Sequence, residues 1–243
     1  MMKPIHEREK FFGRLLMFAK ILSFLGLSGC VLPPAEGEIR ALRNKATQDE
    51  LAILFIGNSY SFGVPSALKK MAEAHGKKVR IGHSTYGGWS LAKHSKHPPT
   101  LDKLRGGNWD IVVIQDYSKN PAMRETARRQ TMDPGIQFFA SEARAIGAVP
   151  MLYQTWGRRD GDPDVPGDDF FKMNQRVRSG YQSASERGGG IAIIPAGDAW
   201  EREFREGRGA ELFCEDGSHP SDFGNQITAQ VFYDTIFGVP SRF

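Results

Sequence analysis

At 243 residues, with 40% hydrophobic and 25% charged side chains, the chain has the composition of a folded domain, which excludes a disordered or fibrous polymer. Its formal net charge is +4, but Lys3, Arg8, Lys10, Arg14 and Lys20 stand against only Glu7 and Glu9 in residues 1–29, so most of the excess belongs to the N-terminus. The remainder is near neutral and lacks the basic footprint that nucleic-acid binding needs.

The chain starts with that basic segment and an apolar stretch over residues 15–27, interrupted by Lys20, and then reaches the small residues Ser28 and Gly29. This is the layout of a secretory signal, too short for a mature membrane span. Leu27-Ser28-Gly29-Cys30 resembles the bacterial lipobox, in which the cysteine becomes the first mature residue and carries lipid. The resemblance implies a lipoprotein signal peptide over 1–29, lipid on Cys30 and attachment to a membrane of the bacterial cell envelope. Val31 after the cysteine resembles outer-membrane retention in a host with two membranes. Residues 30–48 contain Pro33, Pro34, Gly37 and mixed charges without apolar periodicity, so they predict a lipid-anchored linker ahead of a folded body over 49–243. With only two cysteines, acylation of Cys30 leaves Cys214 without an intramolecular partner and excludes a disulfide framework. Cys214 reads as a small apolar residue near the chemistry.

Within the body, short apolar runs alternate with amphipathic stretches. Residues 51–56, 79–83, 110–114, 149–154 and 191–194 predict strands, and 65–75, 134–146, 170–187 and 222–237 predict helices. Pro65 suits a first helical turn and Gly76 a position just past the last one. Strands alternating with helices imply a mostly parallel sheet covered on both faces. Ligands of such sheets bind at the carboxyl ends of the strands, which is where the chemically suggestive residues fall.

The first strand leads into Gly57-Asn58-Ser59-Tyr60-Ser61. A serine at a strand-to-helix turn exposes its hydroxyl, and its N–H lies where a helix start stabilises negative charge. Helix caps and turns favour the same residue types, so this segment gains weight only with the one near the C-terminus. There, Asp216-Gly217-Ser218-His219-Pro220 sets an aspartate three residues before a histidine in a loop, because Gly217 and Pro220 oppose regular structure. The carboxylate can then hold one imidazole nitrogen while the other takes a proton from a serine. His94 and His97 have no acidic or cysteine neighbour at ligand spacing and read as an ordinary loop pair, not a metal site.

Gly-Asn-Ser after strand one and Asp-x-x-His-Pro before the last helix together resemble the SGNH (GDSL-like) hydrolases across residues 51–237. The resemblance implies a three-layer α/β sandwich with a five-stranded, mainly parallel, flavodoxin-like sheet. It maps the nucleophile to Ser59 and its acid-base partners to Asp216 and His219. The family usually opens with Gly-Asp-Ser, so Asn58 is a departure. Oxyanion donors are expected from the N–H of Ser59 and of Gly88, with Gly87 in reserve, in Tyr86-Gly87-Gly88-Trp89. The family's Gly-x-Asn-Asp block is missing after strand three, where Gln115-Asp116-Tyr117-Ser118-Lys119-Asn120 stands instead, so the third donor is Gln115 or, alternatively, Asn120. Tyr60, Tyr86, Trp89, Tyr117 and Trp156 near strand ends are candidates for stacking on sugar rings. Arg158 and Arg159 suit a sugar or carboxylate subsite.

The implied activity is hydrolysis of a small-molecule or polysaccharide ester, for example a short acyl group such as acetyl on a carbohydrate, with no metal or organic cofactor. Two alternatives stand beside it: an inactive glycan-binding lipoprotein that keeps the fold, and a lipase or thioesterase acting on longer acyl chains.

Overall fold

The computed structural model describes residues 34–238. The expected signal peptide, Cys30 and Val31 lie outside the described residues. Five strands, β1 (Glu50–Gly57), β2 (Lys78–Thr85), β3 (Ile111–Ile114), β4 (Val149–Gln154) and β5 (Ala192–Pro195), form one sheet in the order β2-β1-β3-β4-β5. Every neighbouring pair is parallel, so the sheet expected to be mainly parallel is wholly so. The winding reverses between β1 and β3, and the loops leaving these strands diverge to open a crevice.

Nine helices occur among the described residues: α1 (Pro34–Lys45), α2 (Val64–Ala74), α3 (Leu91–His94), α4 (Pro98–Gly106), α5 (Glu125–Thr131), α6 (Asp133–Ala145), α7 (Phe170–Arg187), α8 (Ala196–Arg205) and α9 (Asp222–Phe237). The strands read as continuous apolar runs because both faces are covered. Leu51, Ile53 and Phe55 of β1, with Ile111 and Val113 of β3, join the cluster containing Leu68 of α2, Trp200 of α8 and Phe232 of α9. The alternate residues Ala52, Leu54, Ile56, Val112 and Ile114 meet Ile136 and Phe139 of α6 and Val177 and Tyr181 of α7. This two-residue alternation puts helices on both sides of the sheet, giving three layers.

The structure corrects three local expectations. Within the stretch read as a linker, α1 docks on the domain: Leu42 is buried in the core, Lys45 pairs with Asp110 at 3.0 Å and Arg144 with Glu38 at 2.6 Å. A helix this short is marginal alone and is held by those tertiary contacts, which leave little local pattern. No helix was expected between the second and third strands, yet Pro98 and Pro99 occupy the first turn of α4, where a missing N–H leaves no intrahelical bond unmade. The last strand lies one residue later than expected, and α8 follows it directly. Among the described residues, no helix is long and apolar enough to cross a membrane.

Candidate active site

Ser59 opens a short 3-10 turn, Ser59–Ser61, at the carboxyl end of β1. Asn58 caps it from an extended backbone, its side-chain oxygen accepting from the Tyr60 N–H at 3.2 Å. The Ser59 N–H stands at the turn's start, where no preceding turn supplies an acceptor. Asn58 is buried and ties three loops together. Its N–H donates to Gln115 Oε1 at 2.8 Å, and its Nδ2 donates to the carbonyls of Trp89 and Asp116 at 3.1 Å each. A Cβ on Gly57 would lie 2.4 Å from Gln115 Oε1, so only glycine permits this approach. The Gly57 carbonyl accepts from Tyr86 N–H at 3.1 Å and from His94 Nε2 at 2.8 Å.

Half-buried Ser59 places Oγ 2.8 Å from His219 Nε2, and His219 Nδ1 lies 2.5 Å from Asp216 Oδ2. A carboxylate facing Nδ1 requires the proton there, leaving the Nε2 lone pair for the serine hydroxyl. Burial pulls the Asp216 carboxyl upward, but hydrogen bonds from the His219 ring and from the N–H groups of His219 and Ser218 outweigh it and hold the pKa at about 2. The loop is closed by a Phe213–Pro220 bridge, a Cys214 N–H to His219 carbonyl bond of 2.9 Å and a Ser221 cap on α9. Aromatic rings support it: Tyr60 stacks on Trp156 at 5.0 Å, Trp156 on Trp200 at 3.6 Å, and Tyr60 meets the His219 ring edge-on at 5.5 Å. Trp156 Nε1 donates to the Ser218 carbonyl at 3.1 Å and the Arg159 N–H to the Gly217 carbonyl at 2.8 Å.

On the other flank, Trp89 N–H closes a turn on the Tyr86 carbonyl at 3.1 Å, with Gly88 inside it at φ +71°. Only glycine holds that backbone without strain. Among the described residues the Gly88 N–H meets no backbone acceptor. Gly88 borders a cavity of about 400 Å³ that is also lined by Ser90, Tyr117, Asn120, Gln130 and Thr131. A larger cavity of about 640 Å³, between α2 and α9, contains none of the residues singled out for chemistry.

Several expected roles do not survive the geometry. Gln115 is fully buried, its Oε1 taken by Asn58 N–H and Ser61 Oγ and its Nε2 directed to the Asp116 carbonyl, so it knits loops together and offers the cleft no donor. Flipping the amide would set Nε2 against the Asn58 N–H and Oε1 against the Asp116 carbonyl. Asn120, the alternative, lines the cavity and commits one amide N–H to Asp116 Oδ2 at 2.9 Å. Tyr60 and Trp156 are buried, so neither face is open to a sugar; they support His219 instead. Trp89 is half-buried and Tyr86 exposed, their rings stacked at 4.3 Å. Arg158 is half-buried beside the loop that carries Asp216 and His219. Cys214 is exposed, not a packed apolar residue, with Sγ 3.3 Å from the Pro220 carbonyl.

Nor are His94 and His97 a plain loop pair. His94 is fully buried in α3, where burial lowers its pKa to about 4, and both histidines hydrogen-bond the Thr100 hydroxyl. Asp116 is equally buried, its pKa raised by burial to about 6, and it accepts from Leu91 N–H and Asn120. The positioning roles of Asn58, His94 and Asp116 were missed by sequence reasoning. Their partners lie far along the chain, and no local pattern signals them.

No family model and no curated relative matches the sequence. Solved structures do. A DUF4886 family protein from Bacteroides uniformis superposes with a TM-score of 0.70 at 20% identity, covering 80% of this chain and 87% of that one. An acetylxylan esterase from Geobacillus stearothermophilus gives 0.59 at 15% identity, covering 76% and 94%. A lipase/acylhydrolase from Enterococcus faecalis gives 0.56 at 16% identity, covering 77% and 96%. At such identities the likeness speaks for the fold, and the architecture of this chain is the SGNH (GDSL-like) hydrolase fold that its first and last sequence blocks resemble.

Proposed function

We propose that the chain is a serine carboxylic ester hydrolase that removes a short acyl group, such as acetyl, from a carbohydrate. The observation that carries the reading is the hydrogen-bonded row Ser59–His219–Asp216, a geometry that glycan binding alone does not call for. Asp216 stays ionised and fixes the His219 ring. His219 Nε2 takes the hydroxyl proton as Ser59 Oγ attacks the ester carbonyl. The developing oxyanion is met by the N–H groups of Ser59 and Gly88, with the second amide N–H of Asn120 as third donor. His219 then passes its proton to the departing alcohol, and water releases the acyl group by the same steps in reverse roles.

The hydroxyl and amide groups of Ser90, Tyr117, Asn120, Gln130 and Thr131 around the cavity beside Gly88, with the accessible Tyr86–Trp89 stack, favour a sugar over a long acyl chain. One solved structure of this fold is an acetylxylan esterase, which points the same way. Export and lipid attachment at Cys30 belong to the proposal on the sequence resemblance alone; labelled palmitate entering the wild type but not Cys30→Ala is the result expected.

Residues 31–243 should hydrolyse p-nitrophenyl acetate, with losses of about a thousandfold or more in Ser59→Ala and in His219→Ala. Equal rates in all three proteins would leave only background reactivity and favour a glycan-binding protein. A strong preference for butyrate over acetate would favour the longer-chain reading. Acetate release from acetylated xylan or chitin-type oligomers then tests the substrate.

A further inference from the structure

Arg158 sits on the loop leaving β4, half-buried. Its neighbours on either side are hydrogen-bonded to the catalytic loop, Trp156 to the Ser218 carbonyl and Arg159 to the Gly217 carbonyl. Its charge acts on the Tyr60 phenol, whose oxygen lies 2.6 Å from Ser218 Oγ, one residue from His219. The loop bonds place residue 158 on the His219 flank of Ser59, with its guanidinium within electrostatic reach of the Tyr60 hydroxyl.

The other charged groups around it are each engaged in an ion pair of their own. Arg159 pairs with Asp160, Lys119 with both Asp162 and Asp164, and Asp216 with His219. Asp162 lies within the field of Arg158, but its carboxylate is bridged by Lys119 at 2.9 Å. Arg158 makes no ion pair among the described residues, and its Nε is buried without a hydrogen-bond partner. That Nε is shut off from solvent and beyond a ligand's reach, but the two terminal nitrogens also make no hydrogen bond among the described residues and are not shut off, so they are the donors that a ligand's acceptor oxygens can meet.

The direction of the chemistry says which part of the ester lies there. His219 delivers its proton to the leaving alcohol, so the alcohol portion occupies the His219 flank. Building on the esterase reading, we infer that Arg158 holds a carboxylate on that alcohol, so that the substrate is an O-acylated acidic sugar of the uronate kind and not a neutral xylose unit. The planar fork of arginine matches a carboxylate with two parallel hydrogen bonds, which a lysine cannot reproduce.

The test measures acetate release by the mature protein from O-acetylated oligogalacturonate and from the same oligomer with its carboxylates converted to carboxamides. The wild type should favour the charged oligomer in kcat/KM by about tenfold or more, a preference that weakens as salt is raised. In Arg158→Gln the ratio should fall towards one, and Arg158→Lys should restore only part of it. The readout is a ratio of two substrates on one protein, so partial loss of folding or overall activity does not move it. Equal rates for the two oligomers in the wild type, or a ratio unchanged in Arg158→Gln, overturns the inference. If p-nitrophenyl acetate is still cleaved in a Ser59-dependent way, only the role of Arg158 falls; if it is not, the esterase reading falls and takes this inference with it.

Discussion

On the His219 flank of Ser59 the side chains behind the imidazole are rings packed face to face, Tyr60 on Trp156 on Trp200, and most of the hydrogen bonds use backbone atoms of the loop itself. On the Gly88 flank they are buried polar groups, Asn58, Gln115, Asp116 and His94, joined to backbone atoms of three loops. The two flanks have different tasks. An imidazole that moves a proton needs its ring plane held, and apolar packing holds a plane well without fixing any one atom. An oxyanion needs N–H vectors aimed at a point, and hydrogen bonds fix vectors. The polar flank is accordingly the less forgiving, because removing one partner strands another inside.

That contrast can be broken by substitution. Trp156→Ala should cost about 3–5 kcal/mol in denaturant unfolding, while Trp156→Phe, which keeps an aromatic ring in the stack, should cost clearly less. Equal losses in the two variants would mean that the indole N–H, and not the stacked ring, holds the loop.

The polar flank predicts a balanced pH response. Burial raises Asp116 to about 6, so between its ordinary value of 3.8 and about pH 6 the folded chain keeps a proton that the unfolded chain has lost, and stability falls as pH rises. Burial lowers His94 to about 4, so between about pH 4 and 6.5 the unfolded chain holds a proton that the folded chain lacks, and stability rises with pH. Each slope is worth roughly 3 kcal/mol, and in the wild type they oppose each other. Melting temperatures across pH 4–6.5 should therefore climb with pH in Asp116→Asn and decline in His94→Gln. Parallel curves for both variants would show that neither group titrates as its burial implies.

The smallest change is Asn58→Asp, which restores the usual family residue. Here Nδ2 donates to two carbonyls, so a carboxylate oxygen in its place faces the Trp89 and Asp116 oxygens. A loss of about 1–3 kcal/mol at neutral pH is expected, shrinking in acid as the new carboxyl protonates. A variant as stable as the wild type at pH 7 would mean that the loops adjust freely and the polar flank is no stiffer than the apolar one.

Much of the frame was legible in the sequence. The cores of β1, β3 and β4 are unbroken apolar runs, helices α7 and α9 were bounded to the residue, and Ser59, Asp216 and His219 come together as their two segments suggested. Two of the helices that were missed lack strong local signals. α1 has Leu42 as its one buried apolar anchor among the side chains described, and α4 begins with two prolines. Site residues were misjudged where type and position suggest exposure but long-range packing decides. Trp156 follows a strand like a platform for sugar, yet it is sandwiched between Tyr60 and Trp200. Gln115 stands at a strand end like a donor, yet its carbonyl oxygen is claimed by a backbone N–H 57 residues earlier.

The join between the β4 loop and the catalytic loop is made by the Arg159 N–H and the Trp156 indole, and neither bond uses the side chain of residue 158 or 159. On the proposed reading, catalysis and recognition are thereby uncoupled at this seam. A descendant could exchange the Arg158 side chain, and with it the alcohol that the proposed esterase prefers, while inheriting the same His219 loop; diversification of substrate would then take single steps, each passing through a working enzyme.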